Sequence, residues 1–478
     1  MHKVLLVKPY TYLHAYQNLE LPLGIMMLSA YIKRELPGEA AVTLIDLRVE
    51  KEREAALAKA LDAQPAIIGL SLMNFEKAFL KERLAAIRAA APRALIVAGG
   101  AYPTCNTEEA LKEFPELDLV VRGEGEETFL AVVRRHAAGE DPRGEPGTAF
   151  LRDDAVVVAP DRPLIVPLDR LPMPDYEAVD IERYLVPHTP MNAVNADRRY
   201  VILMTSRGCP YRCAYCHDTM GKSFRPRSAE RVLEEIGYLY ERHGIRETHI
   251  VDDVFNLDRD RMHRILRGIA SAGWKLFIAF PNGIRGDLLT GEDIDLMKAA
   301  GVYHLLFPLE TASLRLQELV GKRLDLDRAL DNIRYAHRRG IVTKACFMLG
   351  FPGETEEELE RTATLALDPA LDMMAIYKVA YFRHTRIARM AEELWGADAE
   401  EPVDYYSGRS RYERATGIPL NSLITRTYLR FYLSWRMLRL LWRLPRRLPF
   451  LSRLRYHASL VRHVHASGGR RERHISAS

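Results

Sequence analysis

The sequence of 478 residues has no apolar run approaching the roughly 20 residues that a membrane-spanning helix needs. It is poor in cysteine: five in all, three of them within eight residues, which excludes a disulfide framework in a chain of this size. The apolar stretch near its start, Val4–Val7, is too short for a secretory signal, so the cytoplasm is the expected compartment. No repeat is evident, and acid is nearly missing from the end of the chain. From Arg426 onward thirteen arginines face one acid, Glu472, a charge of +12 that leaves −8 on the first 425 residues of a chain whose net charge is +4. A tail so different from the body calls for a partner of its own.

A hydrophobic content of 48% with 28% charged residues describes a globular chain, and its length calls for two or three domains. The first 140 residues alternate short apolar runs (Val4–Val7, Val42–Leu47, Ile67–Leu72, Leu95–Ala98, Leu117–Val121) with helical patterns such as Leu23–Glu35 and Phe75–Ala90. That alternation predicts an α/β fold with a Rossmann-like parallel sheet, whose ligands sit at the carboxyl ends of the strands. Those ends carry Ser71, Gly99, Gly100, Gly123 and Glu124. After a short hairpin and a proline-spaced linker, six further strand–helix units begin at Tyr200, enough for a partial barrel but not for a closed one of eight. The expected domains are therefore a parallel-sheet domain over 1–145, a hairpin and linker over 146–195, a partial (βα)6 barrel over 196–395 and a helical, basic extension over 396–478.

Cys209, Cys213 and Cys216 are spaced C-x3-C-x2-C just after the first strand of the second region. Three thiolates on one loop suit three irons of a 4Fe-4S cluster and leave the fourth open to an external ligand, hence to chemistry. The rival is a zinc site completed by His217, although adjacent Cys and His side chains seldom reach one tetrahedral centre. Cys105 and Cys346 stand apart in apolar or loop surroundings and read as small packing residues.

With an aromatic before its last cysteine, the motif resembles the signature of the radical SAM superfamily. The resemblance implies that S-adenosylmethionine chelates the open iron and is cleaved to a 5′-deoxyadenosyl radical. Further pieces follow in the family's order: Ile250–Phe255, Phe307–Ser313 and Gly350–Thr355. They imply S-adenosylmethionine contacts at Tyr215, Asp252, Glu310 and Gly350. Each has a structural reading too: Glu310 as a helix cap, Gly350 as a turn residue, Tyr215 as a packing aromatic.

A parallel-sheet domain ahead of such a barrel, with Val97–Thr104 and Asp118–Glu126 at its strand ends, resembles the cobalamin-binding class of the superfamily. That implies cobalamin contacts at Ser71, Gly99, Gly100, Gly123 and Glu124. The D-x-H-x-x-G motif that supplies a lower cobalt ligand in many cobalamin domains is missing, so cobalamin would be held without a histidine beneath it; a domain that keeps the fold without the cofactor is the alternative. The methylthio-transferases would need three cysteines in this domain, and only Cys105 is there.

The resemblance implies an enzyme that transfers a methyl group to an unactivated carbon of a small, hydrophobic molecule, lipid-like or tetrapyrrole, fed by an electron donor. Its alternatives are a non-methylating cyclase or rearranging enzyme, and a cofactor-binding sensor without catalysis. Between Tyr428 and Leu448, Arg436, Arg439, Arg443 and Arg447 recur at steps of three and four among leucines, with Trp435 and Trp442 interspersed. This amphipathic pattern suits peripheral contact with an anionic membrane; packing on the barrel is the rival reading and nucleic acid the weaker one.

Overall fold

The computed structural model describes residues 1–11, 19–185, 195–216, 219–397 and 409–444. The chain divides into two compact units: 1–191 with 218–221 and 225–227, and 192–217 with 222–224 and 228–478.

In the first unit the strands β1 (His2–Lys8), β2 (Ala40–Asp46), β3 (Ile67–Ser71), β4 (Leu95–Gly99) and β5 (Leu119–Val121) pair in parallel in the order 2-1-3-4-5. Successive side chains point to opposite faces, so each apolar run feeds two cores. Leu5, Ile68 and Ile96 pack with Phe79 and Leu84 of α3 (Lys77–Ala90). Leu6, Val97 and Leu119 pack with Ile25 of α1 (Leu23–Glu35) and Phe129 of α6 (Gly125–Ala137). The expected hairpin forms, but β6 (Thr148–Arg152) pairs antiparallel with β5, so β6 and β7 (Ala155–Val158) extend this sheet rather than standing apart. The chain reverses its direction of travel between β1 and β3, the switch point where open parallel sheets bind ligands.

In the second unit β8 (Tyr200–Leu203), β11 (Glu247–Ile250), β12 (Phe277–Phe280), β13 (Val302–Glu310), β14 (Val342–Leu349) and β15 (Met373–Lys378) form a parallel sheet in chain order, with no pairing between β8 and β15. The two-residue strands β9 (Ser206–Arg207) and β10 (Arg225–Pro226) bracket the cysteines in sequence. Ser228, Asp258, Thr290, Ser313, Asp325 and Thr355 each cap a helix of this unit, accepting a hydrogen bond from the backbone N–H three residues on. The partial barrel expected from six strand–helix units is what forms.

Its free edge is covered by the carboxyl-terminal helices. Helix α15 (Leu420–Tyr432) lies along β15, where the Tyr432 hydroxyl donates to the Met374 carbonyl (2.9 Å) and accepts from the Met374 N–H (3.4 Å). The Tyr428 hydroxyl accepts from the Ile376 N–H (3.0 Å). Two tyrosines thus satisfy edge groups that would otherwise be left bare. Tyr432→Phe should cost about 2 kcal/mol, because both polar atoms of buried Met374 lose their partner; a lowered urea midpoint reads this directly.

The basic tail departs from expectation. The stretch read as amphipathic over Tyr428–Leu448 takes in the end of α15 and then α16 (Arg436–Arg443), and α16 turns its arginines inward. Arg436 donates to the Asp368 and Leu367 carbonyls, Arg439 to the Pro369 carbonyl (2.8 Å) and Arg443 to buried Asp372 (3.2 Å). Leu440 and Leu444 are buried beside them, while Trp435 and Trp442 are each 85% exposed. The carbonyls that end helix α12 (Glu356–Leu365) and its following turn attract the guanidinium groups, a local pull that helical spacing cannot reveal. Arg447 lies outside the described residues.

Candidate functional site

The three cysteines follow β8 at the carboxyl end of the barrel. Their loop is tied down by hydrogen bonds from the Ala214 N–H to the Val320 carbonyl (2.7 Å) and from the Ile387 N–H to the Ala214 carbonyl (2.9 Å). Beneath it Ala214 packs with Leu316, Val320, Phe351 and Ile387. Between the first two cysteines, the Tyr211 ring lies under the Arg285 guanidinium, 4.1 Å from its centroid. Burial pushes the Cys209 thiol up and the Cys216 thiol to about 11, and neighbouring thiols of the loop add to both rises. Among the described residues no three Cys, His, Asp or Glu side chains are drawn to metal-binding distance, so the thiols are neighbours on one loop and not a converged set. The donor chemistry nonetheless fits an iron–sulfur cluster, since three thiols on one loop gain from a positive centre that takes their protons' place. His217, the ligand a zinc site would add, lies outside the described residues.

The strand ends around this loop bring together most of the expected S-adenosylmethionine contacts. Tyr215 is half-buried, with its hydroxyl beside the Cys213 thiol and within reach of the Glu310 charge. Glu310 ends β13 at a register shift against β14, with a φ of +66° that an L-residue adopts only under constraint. There its carboxylate pairs with Lys322 at 3.0 Å, both groups buried. Gly350 has a φ of +91°, and a Cβ there would come within 3.1 Å of the Tyr412 side chain, so the turn requires glycine. Its N–H donates to Glu354 (2.6 Å), as does the Phe351 N–H (2.9 Å).

Burial lifts the Glu354 carboxyl to about 7 against the pull of those two N–H groups. A folded-state pKa above the ordinary carboxylate value means that the native state holds its proton longer than the unfolded chain does. Stability contributed here is full below about pH 4.5 and is lost as pH rises towards 7. Glu354→Gln should remove that slope, as thermal melts at pH 5 and pH 7.5 would show.

Asp252 does not join the group. Its carboxylate accepts from the Thr205 N–H, the Thr205 hydroxyl and the Ser206 hydroxyl, each at 2.6 Å, and is spent on anchoring the start of the cysteine loop. Its neighbour Asp253 faces the cysteines instead, accepting from the Gly208 N–H (3.2 Å) and bearing on the Cys209 and Cys216 thiols. The acid doublet was visible in sequence, but a strand-end alternation cannot say which of two consecutive acids turns inward.

In the first unit Ser71, Gly99 and Gly123 stand at the carboxyl ends of β3, β4 and β5. A Cβ at Gly123 would meet nothing within 4 Å, and one at Gly99 only the Val121 carbonyl, so small residues leave the rim open. Gly100 is needed for packing, because a Cβ there would lie 2.6 Å from the Leu72 carbonyl oxygen. An open rim of small residues along the carboxyl ends of β3, β4 and β5 fits a broad planar cofactor. Glu124 is otherwise employed: its buried carboxylate accepts from Arg225 (2.7 Å) and the Ile165 N–H (2.9 Å). His2, at the amino end of β1, contacts His136 at 3.0 Å, so neither histidine stands at the strands' carboxyl ends.

The sequence profile of the radical SAM superfamily matches residues 203–366, and that of the B12-binding domain matches residues 11–133. The chain is a radical SAM protein with a B12-binding domain. Those two domains bring with them a 4Fe-4S cluster, S-adenosylmethionine and cobalamin as cofactors.

This radical SAM protein is 28% identical over 424 residues to an uncharacterized methyltransferase of Pyrococcus horikoshii, covering 87% of the chain and 89% of that relative. It is 26% identical to the anaerobic magnesium-protoporphyrin IX monomethyl ester cyclase of Cereibacter sphaeroides, covering 88% of the chain and 68% of the cyclase. In fold it is similar to the radical S-adenosylmethionine methyltransferase TsrM of Kitasatospora setae, with a TM-score of 0.69 at 20% identity over 87% of this chain and 82% of that one.

Sequence reasoning missed the polar interior of this barrel. Lys344 and Cys346 of β14, His304 of β13 and Tyr377 of β15 lie on neighbouring strands, and Cys346 is partly exposed. The alternation of polar residues within β14 (Val-Thr-Lys-Ala-Cys-Phe-Met-Leu) was the available signal.

Proposed function

We propose that this radical SAM protein is a cobalamin-dependent methyltransferase acting on an unactivated carbon of a small, largely apolar molecule. The observation that carries the reading is the union in one chain of a B12-binding domain and a three-cysteine radical SAM barrel, over the length shared with the Pyrococcus horikoshii methyltransferase. Cys209, Cys213 and Cys216 would hold the cluster; Tyr215, Glu310 and Gly350 would hold S-adenosylmethionine; Ser71, Gly99, Gly100 and Gly123 would form the cobalamin rim. When bound, these groups supply a hydrogen-abstracting radical and a transferable methyl. The chain's own work is placement: Glu310, fixed by Lys322 and a constrained backbone, offers a carboxylate at a set position, and the Gly350 turn brings backbone close.

Anaerobic protein reconstituted with iron, sulfide and cobalamin, then given a reductant and S-adenosylmethionine, tests this. Formation of both 5′-deoxyadenosine and S-adenosylhomocysteine is expected. 5′-Deoxyadenosine alone would favour the second reading, a non-methylating enzyme, which the Cereibacter sphaeroides cyclase relative supports. Neither product would leave a cofactor-binding sensor.

The tail extends the proposal to location. No helix among the described residues is long and apolar enough to cross a membrane. Trp435 and Trp442 project from α16, Leu433 is 75% exposed nearby, and residues 445–478 add eight arginines. Tryptophan beside dense positive charge suits an anionic lipid surface. The chain should sediment with phosphatidylserine vesicles and not with phosphatidylcholine vesicles, and Trp435→Ala/Trp442→Ala should weaken that binding.

A further inference from the structure

On one face of the barrel sheet every second side chain of β14 and β15 is half-exposed: Lys344, Cys346 and Met348, then Ala375 and Tyr377. Their alternates, Thr343, Ala345, Phe347, Leu349, Met374 and Ile376, are buried. Strand register gathers the open positions into one patch, since Lys344 pairs with Leu306 on one side and Met373 on the other, and Cys346 with Pro308 and Ala375. Most of that surface is apolar. Lys344 is the exception, and its ammonium has no hydrogen bond or ion pair among the described residues.

His304 lies one register row below, opposite Val342. It is fully buried, and neither ring nitrogen has a hydrogen-bond partner. Burial, with Lys344 and His249 nearby, pushes its imidazole down to about 3, so it is neutral and offers one unused N–H. The thiol of Cys346 stays protonated, raised to about 11 by burial, with the Tyr377 hydroxyl beside it. The carboxylate that bears on Cys346, Glu310, is already paired with Lys322.

A buried imidazole with no partner is costly and does not support the fold. An anion at the half-exposed Lys344 ammonium would give that cation the partner it lacks, with His304 buried behind it. We propose that Lys344, backed by His304, is the anchor for an anionic group, carboxylate or phosphate, carried by an otherwise apolar substrate in the barrel. This deepens the methyltransferase reading and rests on it for the word substrate. The half-exposed apolar residues Pro308, Met348 and Ala375 would take the substrate's body.

The test uses the reconstituted full-length protein with saturating S-adenosylmethionine in every arm. Acetylation of Lys344 by limiting acetic anhydride is followed by mass spectrometry, with exposed Lys51 as internal reference. Benzoate and phenyl phosphate serve as probes, and benzamide as their uncharged counterpart. Protection of Lys344 by several-fold, by either anion and not by benzamide, is expected. The anion that protects better tells a carboxylate substrate from a phosphate one. Equal protection by benzamide, or none by either anion, overturns the proposal. Cleavage of S-adenosylmethionine is measured in the same samples, so failure of the methyltransferase reading shows there and failure of the anion anchor shows in the acetylation.

Discussion

Cys213→Ala, reconstituted anaerobically, should lose 5′-deoxyadenosine formation by at least about a thousandfold, equivalent to some 4 kcal/mol of barrier, and should retain little iron. The size of the effect follows from the donor count. The loop offers three thiols and no fourth cysteine nearby, so removing one leaves two ligands for a cluster that needs three. Cys213 is also the middle thiol of the loop: its sulfur lies 4.0 Å from the Gly321 carbonyl, and it bears on both Cys209 and Cys216. Cys105→Ala, in the other unit, is the matched control and should keep its iron and its turnover. Iron and sulfide content with the anaerobic absorption spectrum check the loading, and product chromatography checks the cleavage. A Cys213→Ala protein that still cleaves S-adenosylmethionine would remove the cluster assignment and leave the zinc reading to be tested.

Much of this architecture could be read before any coordinates, for reasons that differ along the chain. Parallel strands buried on both faces must be continuous apolar runs, so Ile67–Ser71 and Tyr200–Leu203 announce themselves. Three cysteines in eight residues marked the candidate site. What stayed hidden was direction. Whether Asp252 or Asp253 faces the thiols depends on Thr205 and Ser206 being near enough to consume one of them. Glu124 is claimed by Arg225, about a hundred residues away, a contact no local pattern encodes. The arginines of α16 point inward because Asp372 and the carbonyls of the turn after α12 lie beside them. Periodicity gives a side chain its face, and only tertiary partners say which face is inside.

The carboxyl-terminal helices supply the second large expected effect. Lys378 ends β15 and reaches Glu413 of α14 (Arg411–Thr416) at 2.7 Å, each side chain about 5% exposed. Glu413 also accepts from the Ser410 N–H (2.8 Å) and the Leu420 N–H (2.9 Å), joining the ends of α14 and α15. Lys378→Met strands a buried carboxylate and should destabilise the barrel by about 3–5 kcal/mol, whereas Lys378→Met/Glu413→Gln should recover part of the loss by removing the charge as well. The pH dependence separates this from a simple packing defect. In the wild type burial works against the Glu413 charge, but Lys378 and the backbone N–H groups outweigh it and hold the carboxyl below its ordinary value. That stabilisation is present above the ordinary carboxylate pKa and disappears as pH falls through the lowered one. Without Lys378, burial prevails and the folded-state pKa rises above the unfolded value, so the variant should lose stability as pH increases from about 4.5. Urea midpoints at pH 4.5 and pH 8 should therefore lie closer to wild type at the acid end. A deficit below about 1 kcal/mol at pH 8 would mean that water reaches Glu413 once Lys378 is gone, and that β15 and α14 are held together by their apolar contacts alone.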